Sequence, residues 1–207
     1  MNMSAAIDPS WWVQPVNLQN THVSLSPMLP AHAEALGLAA SDGQLWRLFY
    51  TSVPTPETAA QYVAQAMTQQ RTGWAVPFVV HDAAGGIVGT TRFCNIDVAN
   101  KRVEIGWTWY AQRVQRTALN TAAKLLLLTH AFENLGAGVV ELRTRYMNIR
   151  SRAAIARLGA KQDGILRNHM KLPDGGYRDT VVFSIIESEW PAVKRNLQFL
   201  LETGGQR

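Results

Sequence analysis

The chain has 207 residues, 47% of them hydrophobic and 17% charged, and a formal net charge of +5. This balance excludes a disordered or fibrous protein. The single cysteine, Cys94, excludes an internal disulfide and points to a reducing compartment, while the basic charge favours anionic partners: nucleic acid, an acidic membrane surface or a phosphorylated cofactor.

The first fifteen residues lack the basic-then-apolar layout of a secretory signal. The most apolar helical stretch, 122–132, is broken by Lys124 and His130 and is too short to span a bilayer. A cytoplasmic protein is expected. No linker-like run divides the chain, so one domain is expected over 21–203, with an extension at 1–20 and a tail at 204–207.

In chain order, residues 23–26 alternate like a short strand, and an Ala/Leu-rich helical pattern follows over 30–40. Thr55 suits a helix N-cap and Pro56 the first helical position, predicting a helix to about Arg71. Three strands are predicted over 75–81, 86–97 and 102–110, joined by the turns Asp82-Ala-Ala-Gly-Gly and Val98-Ala-Asn-Lys. A helix over 120–135 stops at Gly136, and a strand occupies 139–146. Asn148 can cap a helix over 149–158 that ends at Gly159. Strands over 164–172 and 177–186 flank the turn Pro173-Asp-Gly-Gly, and a helix over 189–201 closes the chain. This order gives an α+β fold with one mixed, largely antiparallel central sheet flanked by helices and a C-terminal β-hairpin and helix.

The chemistry concentrates in Arg102-Val-Glu-Ile-Gly-Trp-Thr-Trp-Tyr and in Gln115, Arg116, Thr117, Ala118, Leu119, Asn120 and Thr121, which lead into the helix. A strand, a turn and a helix start offer unpaired N–H groups and a positive dipole end, suited to a pyrophosphate. The same layout also serves as a plain connection. Five arginines fall between Arg143 and Arg157, a residue type suited to phosphate. Most of the five are expected to be solvated surface charges.

These segments resemble the acetyl-CoA-binding motif of the GNAT superfamily of N-acetyltransferases, Q/R-x-x-G-x-G/A at the start of the central helix. Asn148-Ile-Arg-Ser resembles the N-x-x-S of the branch containing the ribosomal-protein N-terminal acetyltransferases. Leu158-Gly-Ala, Arg167-Asn-His-Met, Pro173-Asp-Gly, Arg178-Asp-Thr-Val-Val-Phe and Glu189-Trp-Pro also look like that branch. Ala118 and Asn120 replace the motif's small residues, and phosphate contact at Ala118 requires a negative φ.

The resemblance implies a GNAT-like fold and acetyl-CoA as the acetyl donor. The acceptor is then a primary amine, on a protein N-terminus or a small molecule, attacked directly with no acetyl-enzyme. A non-catalytic acyl-CoA-binding module is the alternative. The donor would touch Trp107, Thr108 and Trp109 through their backbone, the run from Gln115 to Thr121, and Asn148, Arg150 and Ser151. Glu104 would be the base, directly or through a water; otherwise it is a solvent-facing strand glutamate. Many relatives carry a tyrosine acid where this chain has Ile155, so Ser151 is the nearest hydroxyl, or else a cap residue. The acceptor pocket would draw on Trp46, Arg47, Arg92, Asn95, His169 and Arg178, with Phe49 assigned to the core. Cys94 reads as a small buried hydrophobe. No metal site, membrane or specific nucleic-acid partner is expected, and a homodimer stays open.

Overall fold

A computed structural model describes residues 9–172 and 174–204. Its centre is one eight-stranded sheet: β1 (Leu18–Gln19), β2 (Val23–Pro27), β3 (Ala75–Asp82), β4 (Ile87–Asp97), β5 (Arg102–Tyr110), β6 (Val139–Arg145), β7 (Lys161–Lys171) and β8 (Tyr177–Ile186). The order across it is β1-β2-β3-β4-β5-β6-β8-β7, so β8 inserts between β6 and β7. Every neighbouring pair is antiparallel except β5 and β6. The expected fold class stands, with the two-residue β1 added at the edge.

Five α-helices flank the sheet: α1 (Ala33–Ser41), α2 (Ala59–Arg71), α3 (Leu119–Thr129), α4 (Ile149–Arg157) and α5 (Trp190–Glu202). The helix expected from Pro56 begins only at Ala59. The preceding turn is held by reciprocal bonds, Thr58 N–H to Thr55 Oγ1 and Thr55 N–H to Thr58 Oγ1. The long central helix loosens into a π-turn over His130–Asn134 before Gly136, whose φ of 68° ends it. Asn148 caps α4 as expected, its side chain accepting from Ser151 N–H at 3.1 Å. Pro173, in the predicted hairpin turn, lies outside the described residues.

Alternation sorts the strands onto two faces. Phe78 and Phe93 stack edge to face on the side of α3, where Phe93 also meets His130. Arg92, one residue away, points to the other side, beneath Tyr62 of α2. Trp12 is buried in the core while Trp11 stays exposed. Among the described residues no helix is long and apolar enough to cross a membrane.

The parallel pair β5–β6 holds together only over Arg102↔Val139, Val103↔Val140 and Glu104↔Glu141. Beyond Glu104 the strands part. A bulge marks the point: on the β4 side the register slips between Thr90 and Arg92, opposite Trp107 and Thr108, and Trp107 takes a φ of 54°. A left-handed tryptophan costs on the order of 1–2 kcal/mol, and bulges of this kind bend a strand and re-aim its side chains. Here the extra residue turns Trp107 and Trp109 both toward Tyr62, while Thr108 faces α3.

Candidate active site

The parted strands leave a wedge with Glu104 at its apex. Toward the wedge, the backbone of β5 from Gly106 to Tyr110 has no strand beside it, while its other edge stays paired to β4. Such a strip can take an extended amide chain as a further strand would.

At the open end, Gln112–Val114 forms a short 3-10 turn that leads to α3. Thr117 Oγ1 caps Leu119 N–H at 3.3 Å. Among the described residues, the amides of Arg116, Thr117, Ala118, Asn120 and Thr121 meet no acceptor. No acidic residue occupies the first turn of α3. Ala118 has φ −63°, so its N–H needs no glycine; the strained residue is Arg116, at φ 62°. This is an anion site in shape and charge. Gln115 contributes indirectly, its side chain donating to Tyr110 O at 2.8 Å. Arg157, the last of the clustered arginines, donates to Thr121 Oγ1 at 3.0 Å, which brings a guanidinium to this turn.

The arginine cluster is corrected in part. Arg143 and Arg145, read with the phosphates, face the other side of the sheet. Arg143 lies 3.5 Å from Glu104 and pairs with Glu141 at 2.6 Å, and Glu141 also pairs with Arg102. Arg145 donates to Phe49 O at 2.9 Å. Arg152 covers the Tyr146 ring, and Arg150 is exposed at the first turn of α4.

Glu104 is 8% exposed. Its Oε2 accepts from Asn95 Nδ2 at 2.6 Å. Its Oε1 crowds Gly106, where an added Cβ would come within 2.8 Å of it. Only glycine leaves room for the carboxylate. Burial pushes the Glu104 carboxyl above the ordinary carboxylate value, against the opposing pull of Asn95 and then Arg143. Cys94 lies beneath, buried, and burial pushes its thiol up, which suits the expected inert role.

Around Glu104 the acceptor-side candidates divide. Arg92 is fully buried between the rings of Tyr62 (4.8 Å) and Trp107 (4.5 Å), with Nε and Nη2 lacking partners among the described residues. Asn95 touches Glu104 directly. Arg178 is near enough for its charge to act on Glu104, and it donates to Met170 Sδ. His169 binds Thr180 Oγ1 at 3.0 Å on the terminal hairpin.

The segment 42–54 crosses the mouth of the wedge. At one end Gln112 N–H donates to Asp42 O at 3.0 Å and Arg113 pairs with Asp42 at 3.2 Å; at the other, Arg145 holds Phe49 O. Trp46 packs on the core from this strap, and Arg47 is exposed. Phe49 is 73% exposed, against its expected place in the core. The strap's anchors fix its backbone and leave that ring at the rim. Below, a groove of about 480 Å³ opens over β6, β8 and β7, lined by Arg102, Arg143, Asp163, Leu166 and Ser184 among others.

Ser151 is partly buried on the first turn of α4, with its N–H taken by Asn148. Ile155 is buried and apolar. Among the described residues no cluster of His, Cys, Asp and Glu is spaced to hold a metal ion.

Known proteins match this architecture. A family profile described as an acetyltransferase (GNAT) domain matches residues 22–161. YdaF of Bacillus subtilis, named provisionally as a ribosomal N-acetyltransferase, is 27% identical over 84% of this chain and 97% of its own. A GCN5-related N-acetyltransferase from Brucella melitensis superposes with a TM-score of 0.81 at 29% identity, covering 91% of this chain and 86% of that one. RimJ of Mycobacterium smegmatis, solved in complex with CoA-disulfide, shares the fold at a TM-score of 0.72 and 23% identity over 92% of this chain and 94% of its own. The profile spans well over half of the sequence, and the chain belongs to the GNAT acetyltransferases, enzymes that draw their acetyl group from acetyl-CoA.

Proposed function

We propose that this enzyme acetylates the amino terminus of a protein by direct attack of the amine on acetyl-CoA. The observation that carries the reading is the wedge itself: a buried carboxylate of raised pKa at its apex and a row of unpaired amides at its mouth. The amides from Arg116 to Thr121 would hold the donor's diphosphate, with Arg157, Arg150, Asn148 and Ser151 on the facing helix. The free edge of β5 at Trp107, Thr108 and Trp109 would bind its amide-bearing arm. The acetyl-CoA supplies the activated acyl group; the rest falls to the chain.

An α-amino group titrates near ~8, so the amine must shed a proton to attack. Glu104 takes that proton, directly or through a water, and its raised pKa suits a base working near neutral pH. Backbone N–H groups at the bulge face the charge that grows on the carbonyl oxygen. Arg92, Asn95, Arg178 and His169 border the acceptor side, under the strap that carries Trp46 and Arg47.

The open groove over β6, β8 and β7 favours a peptide over a small amine, since its wall includes Arg143, which lies 3.5 Å from Glu104. The name of YdaF supports the same choice. The test is thiol release from acetyl-CoA against a panel of N-terminal peptides, polyamines and amino acids. Turnover with peptides at far higher kcat/KM is expected. Preference for a small amine would redirect the acceptor, and tight CoA binding without turnover would leave only a binding module.

A further inference from the structure

On the face of β5 turned away from Glu104, the second turn of α3 carries Lys124. Its sequence neighbours are alanines and leucines, and it is only 4% exposed. Among the described residues no carboxylate pairs with it. Its Nζ donates to Thr108 Oγ1 at 2.9 Å, and Thr108 Oγ1 lies 2.7 Å from Thr91 Oγ1. A buried ammonium with a hydroxyl for company is costly, and packing alone would be served better by leucine or methionine. Thr108 differs from Lys124 in being partly exposed, on the stretch of β5 that β6 leaves free. Because the ammonium donates to its oxygen, Thr108 keeps its own hydroxyl proton to donate. That hydroxyl reaches Gly106 O at only 3.5 Å and lies 2.7 Å from Thr91 Oγ1, and from the long bond it can turn toward the wedge.

The reaction needs a proton at that place. When the amine displaces coenzyme A, the C–N bond forms, the C–S bond breaks, and the electron pair stays on sulfur. We infer that Lys124 and Thr108 form a relay that protonates the leaving sulfur. The Thr108 hydroxyl gives its proton to sulfur while a Lys124 N–H replaces it on the threonine oxygen. The products are the free thiol and a neutral lysine, which is recharged from solvent along the same path. Thr108 touches the reacting atom and is the catalytic residue; Lys124 is the positioning and recharging residue behind it. The inference rests on the wedge as the seat of the thioester, and it is independent of Glu104, which handles the amine's proton on the opposite face.

The acidities fit. Burial holds the Lys124 ammonium far below its ordinary value, at about 7, near the ~8.5 of a model thiol, so transfer is close to balanced. The charged groups around this point are few. Cys94 of β4 is the one whose charge acts on Lys124. Arg92 of β4, Glu104 of β5 and Arg143 of β6 surround that thiol, and His130 follows where α3 ends.

The first test needs no acceptor. The thiol of bound coenzyme A is titrated by its ultraviolet thiolate absorbance in the wild type, Lys124→Met and Lys124→Arg. Lys124, at about 7, is neutral by the pH at which the thiol ionises, so the wild type and Lys124→Met are expected to agree. The fixed cation of Lys124→Arg is expected to hold the thiol about one unit lower through Thr108. Equal values in all three proteins overturn the relay. The second test is the pH–rate profile. The wild type is expected to lose activity as pH rises through about 7, once the acceptor's own titration is divided out. Lys124→Met, Lys124→Arg and Thr108→Val should each lose that limb and roughly 10–100-fold in kcat. KM for acetyl-CoA should move less than about twofold, and Lys124→Met/Thr108→Val should be no slower than either single variant. A retained limb, or losses that multiply, overturns it. Failure of the base reading shows elsewhere, as an acid limb unchanged in Glu104→Gln.

Discussion

On one face of β5, Glu104 sits within a polar network of Asn95, Arg143, Glu141 and Arg102. On the other, Lys124 has the hydroxyl of Thr108 and little else. Burial acts on both, in opposite senses of charge: it raises the carboxyl and lowers the ammonium. Asn95 and then Arg143 oppose the burial effect, while the charge of Glu141 adds to it, and the carboxylate stays available for a proton. Lys124 has no such support, so its shift is large. Two groups on opposite faces of one strand are thereby brought toward the same range from opposite ends, the arrangement that acid and base chemistry at one pH requires.

The largest effect should come from removing the base. Glu104→Gln keeps the shape and the Asn95 contact, and kcat is expected to fall by about 10²–10⁴ while CoA affinity stays within twofold. Isothermal titration beside steady-state kinetics checks both halves. An unchanged rate would leave Glu104 as a structural charge.

The next effect is on stability, and it breaks the symmetry between the two faces. The unfolded chain protonates Lys124 near ~10.4, the folded one only near about 7. As pH falls from about 10 to 7 the unfolded state takes up the proton first, so stability drops across that window and is level below it. Lys124→Met is therefore expected to stabilise the protein by on the order of 3 kcal/mol at pH 7. The gain should shrink toward pH 10, as read by denaturant melts at several pH values. A pH-independent difference would place the lysine in water.

A smaller loss is expected from Gly106→Ala. The new Cβ would stand 2.8 Å from Glu104 Oε1 and 3.2 Å from Cys94 Sγ. The side chain can swing, so the fold should survive with a change under about 1.5 kcal/mol. The carboxylate is displaced from the apex, and kcat is expected to fall about 30-fold at constant KM for acetyl-CoA. Kinetics and melting temperature, measured together, separate misplacement from unfolding.

The sequence carried the elements well where the signal is local. Alternation with turn residues gave β3, β4 and β5, and Asn148 and Gly159 bracketed α4 because a cap and a left-handed glycine need no tertiary partner. The face on which Glu104 lies was legible because Val103 and Ile105 claim the core and leave it the other side. Long-range placement was not legible. Nothing local sends β8 between β6 and β7, and nothing local puts a tryptophan at positive φ. Lys124 read only as a break in the apolar stretch 122–132, and its burial shows once the strand register sets Thr108 over it. Arg143 read only as one of five clustered arginines, because its partner Glu104 belongs to another strand. Phe49 read as core on hydrophobicity alone, while hydrogen bonds to its backbone decide its position.

Arg143 offers the finest adjustment of the comparison. It lies 3.5 Å from Glu104 and is part-exposed, so solvent screens it and its influence is modest. Its charge lowers the Glu104 pKa against burial. In Arg143→Met that opposition is gone and the carboxyl holds its proton to higher pH. The acid limb of the pH–rate profile should therefore move upward, by about half a unit. Well above the limb, where Glu104 is ionised in both proteins, the rates should agree within about twofold. Glu141 keeps its pairing with Arg102, so the strand needs no repair. The alkaline limb should stay in place, because it belongs to Lys124 on the far side of the sheet. A shift of both limbs together would mean that the two faces titrate as one coupled unit, and the division of labour between them would have to be given up.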